Sequence, residues 1–140
     1  MTQEDYVSFE VAKLLKEKGY NKKCNAVWET GVCRECSPKL KITLGAYDEK
    51  DLMHNIDWSE QYEYLAPSLW NAQKWLREKH NISVEIYARE NDWKFEICRT
   101  EGILIMDCAC MSCTTMNNKG AFDTYEKALN EGIKEALKMI

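Results

Sequence analysis

The feature that most constrains the fold of this chain is a run of three strand-like segments between residues 82 and 108. Apolar and polar side chains alternate along residues 82–89 and again along residues 93–97, which is the period of a strand with one buried face. A polar turn at residues 90–92 and then Gly102 separate the segments. Because strands joined by such short turns pair in the antiparallel direction, these residues predict an antiparallel sheet.

Three amphipathic helices are predicted around these strands. The first should span residues 8–18, where apolar side chains recur with helical spacing and a serine can cap the first turn. The second should begin near Pro67, and the third at Asp123, where Glu126 completes a capping box. Glycine inside a helix costs about 1 kcal/mol relative to alanine, so Gly132 indicates close packing of the third helix on the sheet.

Two further strands are predicted at residues 24–29 and 39–44. One face of the second is apolar and is expected to be buried, with the side chains Leu40, Ile42 and Leu44. The element order is therefore α-β-β-α-β-β-β-α. A chain of 140 residues with 45% hydrophobic residues can bury one core. We predict a single α+β domain over residues 1–140, with one antiparallel sheet of four to five strands and three helices mainly on one face.

A long acidic loop is predicted at about residues 47–63, where six acidic side chains stand against Lys50 alone. Aromatic residues lie in or beside this loop. Tyrosine and tryptophan are frequent anchors of protein interfaces, so the loop could contact a partner protein. The alternative is that its aromatic rings fold back on the sheet. The candidate contact residues are Tyr47, Trp58, Tyr62 and Tyr64.

The net charge of −4 argues against a general nucleic-acid binder, because such proteins usually neutralise phosphates with a basic face. The longest apolar run, residues 103–106, is far too short to span a membrane. The first residues are polar and acidic, unlike a secretory signal. We therefore expect a cytoplasmic protein that binds neither nucleic acid nor membrane. The oligomeric state is left open.

The sharpest chemical pattern is a pair of C-x-x-C motifs, Cys33 with Cys36 and Cys110 with Cys113. Two such motifs can supply the four thiolates of a tetrahedral zinc site. The motifs are far apart in sequence, and a domain of this size does not need a metal to fold. We expect no metal and no other cofactor, with unliganded thiols as the role of these residues. A zinc site remains the alternative.

Catalytic signatures are lacking in the sequence. The seven cysteines would need a base for nucleophilic catalysis, and the only histidines are His54 in the acidic loop and His80 at the end of the second helix. No serine-hydrolase elbow, zinc-protease motif or phosphate-binding glycine loop is present. The sequence therefore predicts a protein that is not an enzyme.

Three sequence stretches are similar to those of a known group of proteins. They are VSFEVAKLLKEKG at residues 7–19, APS with QKWLREKHNI at residues 66–82, and FDTYEKAL at residues 122–129, followed by Gly132. Together they resemble a family of short uncharacterised proteins carried by phages, prophages and mobile elements of gut anaerobic bacteria. The resemblance implies a phage-like origin and action inside a bacterial cell. It implies no catalytic residue, and it does not cover the cysteine motifs.

The hypothesis that combines these observations is a non-enzymatic interaction module, an accessory protein of a phage or mobile element. A first alternative is a nucleic-acid-related or antitoxin-like binding module, because residues 66–140 show the element order α-β-β-β-α of double-stranded-RNA-binding domains. A second alternative is a small domain stabilised by zinc at the four-cysteine site.

Overall fold

The computed structural model describes residues 2–30, 37–52, 63–107 and 122–140. These ranges contain three α-helices and six strands, and all their strand pairs are antiparallel. The helices are α1 (Phe9–Glu17), α2 (Leu69–His80) and α3 (Tyr125–Leu137). The strands are β1 (Cys24–Glu29), β2 (Lys39–Tyr47), β3 (Glu63–Leu65), β4 (Ile82–Arg89), β5 (Asp92–Arg99) and β6 (Leu104–Asp107).

The predicted α+β class, antiparallel pairing and approximate element order are confirmed. One detail of the prediction is wrong: the described strands form two three-stranded sheets, β2-β1-β3 and β4-β5-β6, instead of one sheet of four to five strands. The difference arises because β3, at the end of the predicted acidic loop, pairs with β1 from Val27 to Glu29. It thereby provides β1 with a second neighbour beside β2.

The chain divides into two compact units, Met1–Ser68 and Leu69–Ile140. The first sheet belongs to the first unit and the second sheet to the second unit. A single domain over residues 1–140 stays a prediction, as does the acidic loop, because residues 53–62 lie outside the described ranges. No helix within the described ranges has the length and apolar character needed to cross a membrane.

In the first unit, α1 begins and ends as its sequence predicts. The Ser8 side chain accepts a hydrogen bond from the backbone N–H of Val11, and Gly19, with φ of +86°, follows the end of the helix. The indole Nε1 of Trp28 donates to the backbone oxygen of Val7 at 2.8 Å. This bond satisfies the polar atom of a buried tryptophan and joins β1 to the chain that enters α1.

In the second unit, β4 and β5 form a hairpin closed by Glu90 and Asn91. Both residues have positive φ, 53° and 70°, as a two-residue type I′ turn requires. The pairing continues without a break from Arg89 opposite Asp92 to Ile82 opposite Arg99. One face of the hairpin is apolar and buried, with the side chains Ile82, Val84, Phe95 and Ile97.

Helix α3 packs on β4 and β5 through a continuous stripe of buried residues, and α2 contacts both β4 and α3. The stripe consists of Ala128, Leu129, Gly132, Ile133, Ala136 and Leu137. A Cβ atom on Gly132 would lie 2.5 Å from Cγ1 of Val84 and 3.1 Å from the Phe95 ring. The close approach predicted at Gly132 is therefore present.

The cap of α3 differs from the prediction by one residue. Thr124 is the N-cap, and its hydroxyl accepts from the backbone N–H of Lys127 at 3.1 Å. Asp123 instead binds the ammonium group of Lys127 at 3.0 Å. The hydrogen bond from Lys127 lowers the pKa of the Asp123 carboxyl. Both residues can cap a helix, so the sequence alone does not decide between neighbours.

Candidate functional site

Of the four predicted partner-contact residues, Tyr47 and Tyr64 lie within the described residues, whereas Trp58 and Tyr62 lie outside them. Tyr47 ends β2 opposite Cys24, and Tyr64 lies in β3 opposite Trp28. Strand β1 runs between β2 and β3, so the two tyrosines lie on different sides of it and at different points along it. Both rings are half-buried.

Tyr64 belongs to a ring cluster within the first unit. Its ring centroid is 5.5 Å from that of Phe9, which is also 6.1 Å from the Trp28 ring, and both pairs are edge-to-face. The ammonium group of Lys16 lies 5.1 Å above the Tyr64 ring. These contacts join α1 to β1 and β3. The partner-contact role of the four aromatic residues stays a prediction.

The four cysteines of the candidate zinc site, Cys33, Cys36, Cys110 and Cys113, all lie outside the described residues. The zinc site and its expected absence therefore both stay predictions. Within the described residues, no group of three or more His, Cys, Asp or Glu side chains is placed to hold a metal ion.

Cys24, which the structure does describe, is a buried thiol at the start of β1. Burial raises its pKa to about 12, and the thiol donates a hydrogen bond to the backbone oxygen of Lys22 at 3.3 Å. A thiol with so high a pKa is almost entirely protonated near neutral pH and is a poor nucleophile. Its role is packing in the first unit.

His80 ends α2, and its ring packs edge-to-face on Trp75 with 4.8 Å between the ring centroids. Trp75 is buried in the second unit. His54, the other histidine, lies outside the described residues. The environment of His80 is that of a helix-terminal ring packed on an aromatic neighbour.

The surface that sequence reasoning missed is the second half of β2. Alternation predicts that Leu40, Ile42 and Leu44 are buried together, but only Leu40 is half-buried. Ile42 is 44% exposed and Leu44 is fully exposed. The pairing register explains the exposure of Leu44, because Ile42 pairs with Ala26 whereas Tyr47 pairs with Cys24.

Residues 43–46 therefore bulge outward opposite the single residue Asn25; we call this segment the β2 bulge. The Thr43 hydroxyl stabilises this segment by hydrogen bonding. Two backbone oxygens lie within reach of this donor, that of Asn25 at 3.3 Å and that of Gly45 at 3.2 Å. A glycine inside a strand is a known signal of a bulge, so Gly45 is the sequence feature that could have indicated it.

Two basic side chains precede the β2 bulge on its strand, and the acidic residues Asp48 and Glu49 follow it. Lys39 and Lys41 are both exposed. The Lys41 ammonium lies 3.6 Å from the Glu29 carboxylate, but both groups are substantially exposed, so this pair contributes little to stability. Among the described strands, β2 lies at the edge of its sheet. By strand alternation, the two lysines lie on the face opposite Ile42.

Comparisons of the chain with protein-family models, with curated proteins and with solved structures gave no match. The class that the described residues define is an α+β protein with two small antiparallel sheets.

Proposed function

We propose that this chain is a non-enzymatic interaction module and that it binds a partner protein through the β2 bulge. The observation that supports the proposal is the full exposure of Leu44 within the bulge. Burying a leucine side chain yields about 1.5–3 kcal/mol, so this residue is a strong anchor for a partner surface. Ile42, 44% exposed, extends the apolar surface along the strand.

The chemistry of the segment defines the kind of partner. Leu44 and Ile42, both exposed, require an apolar recess on the partner. The expected partner is therefore a protein with an apolar recess that accepts these two side chains. The resemblance to phage and mobile-element proteins supports a partner in the bacterial cytoplasm and a role as an accessory protein of such an element.

The proposal is tested by purifying the tagged protein from its bacterial host as wild type, Leu44→Lys and Ile103→Lys. Ile103 is 59% exposed in the second unit, so its substitution makes the same chemical change on another exposed aliphatic residue. We expect one partner to co-purify in constant proportion with the wild type and Ile103→Lys, and to be lost with Leu44→Lys.

Retention of the partner by Leu44→Lys would contradict the β2 bulge as the contact surface, as would a wild-type protein that purifies alone as a monomer. Sedimentation of the purified proteins distinguishes a second copy of this chain from a different partner protein. A wild-type dimer that becomes monomeric only in Leu44→Lys would make a second copy of this chain the occupant and would overturn the partner proposed here.

A second candidate function is the nucleic-acid-related or antitoxin-like module. The element order α2-β4-β5-β6-α3 of the second unit favours it. The charge at the start of α3 does not, because Glu126 places a carboxylate in its first turn and Asp123 places another just before the N-cap. Sub-micromolar binding of duplex RNA or DNA with a steep salt dependence would favour this function over the first.

A further inference from the structure

A cleft of about 310 Å³ lies in the second unit, apart from the β2 bulge in the first unit. Ser83 and Glu85, which alternate with the buried Val84 along β4, line part of it. Cys98 contributes to the cleft from β5. Its size is at the lower end of small-molecule sites, which generally measure about 300–1,000 Å³.

Two arginines are among the residues that line this cleft. Arg77 comes from the last turn of α2 and Arg99 from the end of β5. Thr100 and Gly102 from the turn after β5 complete that side. Guanidinium groups bind carboxylates and phosphates through paired hydrogen bonds, so they favour an anionic ligand.

The single carboxylate in the cleft has a defined orientation. Ser83 is only 8% exposed, and its hydroxyl donates a hydrogen bond to Oε1 of Glu85. Glu85 itself is exposed. A carboxylate held in this way retains lone pairs that can accept a hydrogen bond from a ligand hydroxyl.

We propose that this cleft binds a small hydroxylated oxyanion. Arg77 and Arg99 hold the oxyanion, and Glu85, positioned by Ser83, accepts a hydrogen bond from a ligand hydroxyl. The charges of the lining residues match such a ligand, with two cations for the anionic group and one acceptor for the hydroxyl. This proposal is independent of the partner surface on β2, which belongs to the other unit.

The test is an NMR titration of the full chain at constant ionic strength with glycerol 3-phosphate, glycerate and inorganic phosphate. We expect saturable shifts at the amides of Thr100 and Gly102 with at least one of the two hydroxylated ligands. Tighter binding of glycerol 3-phosphate would identify a phosphoryl group as the preferred anion, and tighter binding of glycerate would identify a carboxylate. Inorganic phosphate should bind several-fold more weakly, because it carries no alcohol hydroxyl for Glu85.

The variants Arg77→Gln and Arg99→Gln should each weaken binding by about ten-fold or more, since each removes a charge-assisted hydrogen bond. Arg89→Gln is the matched control, because Arg89 is exposed at the other end of β4 and does not line the cleft. All three side chains are exposed, so these changes leave the core intact. Non-saturable shifts with the wild type, or equal weakening by Arg89→Gln, would overturn the proposal.

Discussion

Gly132 is the residue at which helix geometry and sheet packing are most tightly linked. It lies in the buried stripe of α3, directly over Val84 and Phe95. Alanine is the better helix former by about 1 kcal/mol, so the glycine is unfavourable for α3 taken alone. Its presence follows from the distance to β4 and β5, at which no Cβ atom fits without displacing a neighbour.

We predict that Gly132→Ala destabilises the protein by about 1–3 kcal/mol in spite of the gain in helix propensity, because overpacking a core has a cost of this size. Denaturant unfolding measures the change. Gly45→Ala is the control, since an added Cβ there meets no atom within 4 Å, and it should change stability by less than about 0.5 kcal/mol. Equal stability of Gly132→Ala and the wild type would mean that α3 lies farther from the sheet than described.

Cys24 and Tyr20 predict how the stability of the first unit responds to alkaline pH. Burial raises the pKa of Cys24 from 9.0 to about 12 and also raises that of Tyr20. Below pH 9 the thiol is protonated in both the folded and the unfolded chain. Between about pH 9 and 12 only the unfolded chain loses the proton, so folding stability falls as pH rises through this range.

For Cys24 alone, the expected slope approaches 1.4 kcal/mol per pH unit between about pH 9 and 12. Unfolding free energies measured from pH 7 to 11 should therefore decline above pH 9 in the wild type and less steeply in Cys24→Ala. In that variant Tyr20 still causes part of the decline in unfolding free energy, because its pKa is also raised. Tyr20→Phe should remove that part. A Cys24→Ala slope as steep as that of the wild type would show that the thiol is not buried.

At the scale of single elements, the sequence predicts best those features that neighbouring residues determine. The turn at Glu90 and Asn91 is local, and its positive φ values follow from two adjacent residues that close a hairpin. Strand β3 was not predictable in this way, because it forms by pairing with β1, which lies far away in the chain. The β2 bulge has one local signal, Gly45, but alternation at Leu44 indicated burial where the register produces exposure.

The same limit applies to the candidate site. Tyr64 is a predicted partner-contact residue because it is aromatic and lies beside an acidic segment. In the structure its ring contacts Phe9 and Lys16 on α1. Those residues are distant in sequence, and no local pattern reports their proximity. The residues of the cleft, such as Arg77 and Arg99, belong to no sequence motif. Only the fold, which brings α2 and β5 to the same cleft, indicates that they lie together.

Helix α3 provides an element-scale prediction through its cap. Thr124→Ala removes the acceptor for the backbone N–H of Lys127 and should cost about 1 kcal/mol of stability. Thr124→Ser keeps a hydroxyl in the same place and should remain close to the wild type. The comparison by thermal or denaturant unfolding separates the cap from the change in side-chain size. If both variants lose the same stability, the hydroxyl is not the source of the effect.

At the scale of the whole molecule, the four cysteines outside the described residues give a prediction about metal content. We expect the protein purified under reducing conditions without added metal to contain far less than one zinc per chain. Elemental analysis measures this directly, with the variant Cys33→Ser/Cys36→Ser as control. Near-stoichiometric zinc that is lost in the variant would make the zinc-stabilised domain the correct description.

At the scale of the whole molecule, the proposed function depends on Leu44 as the anchor for a partner protein. Photocrosslinking tests it most directly, with a photoreactive phenylalanine analogue placed at position 44 or at position 103 in the bacterial host. Both positions carry exposed aliphatic side chains, so nonspecific capture should be similar. We predict one dominant crosslinked protein from position 44 that is absent from position 103 and that carries an apolar recess at the crosslinked site. The same crosslinked products from both positions would contradict the account.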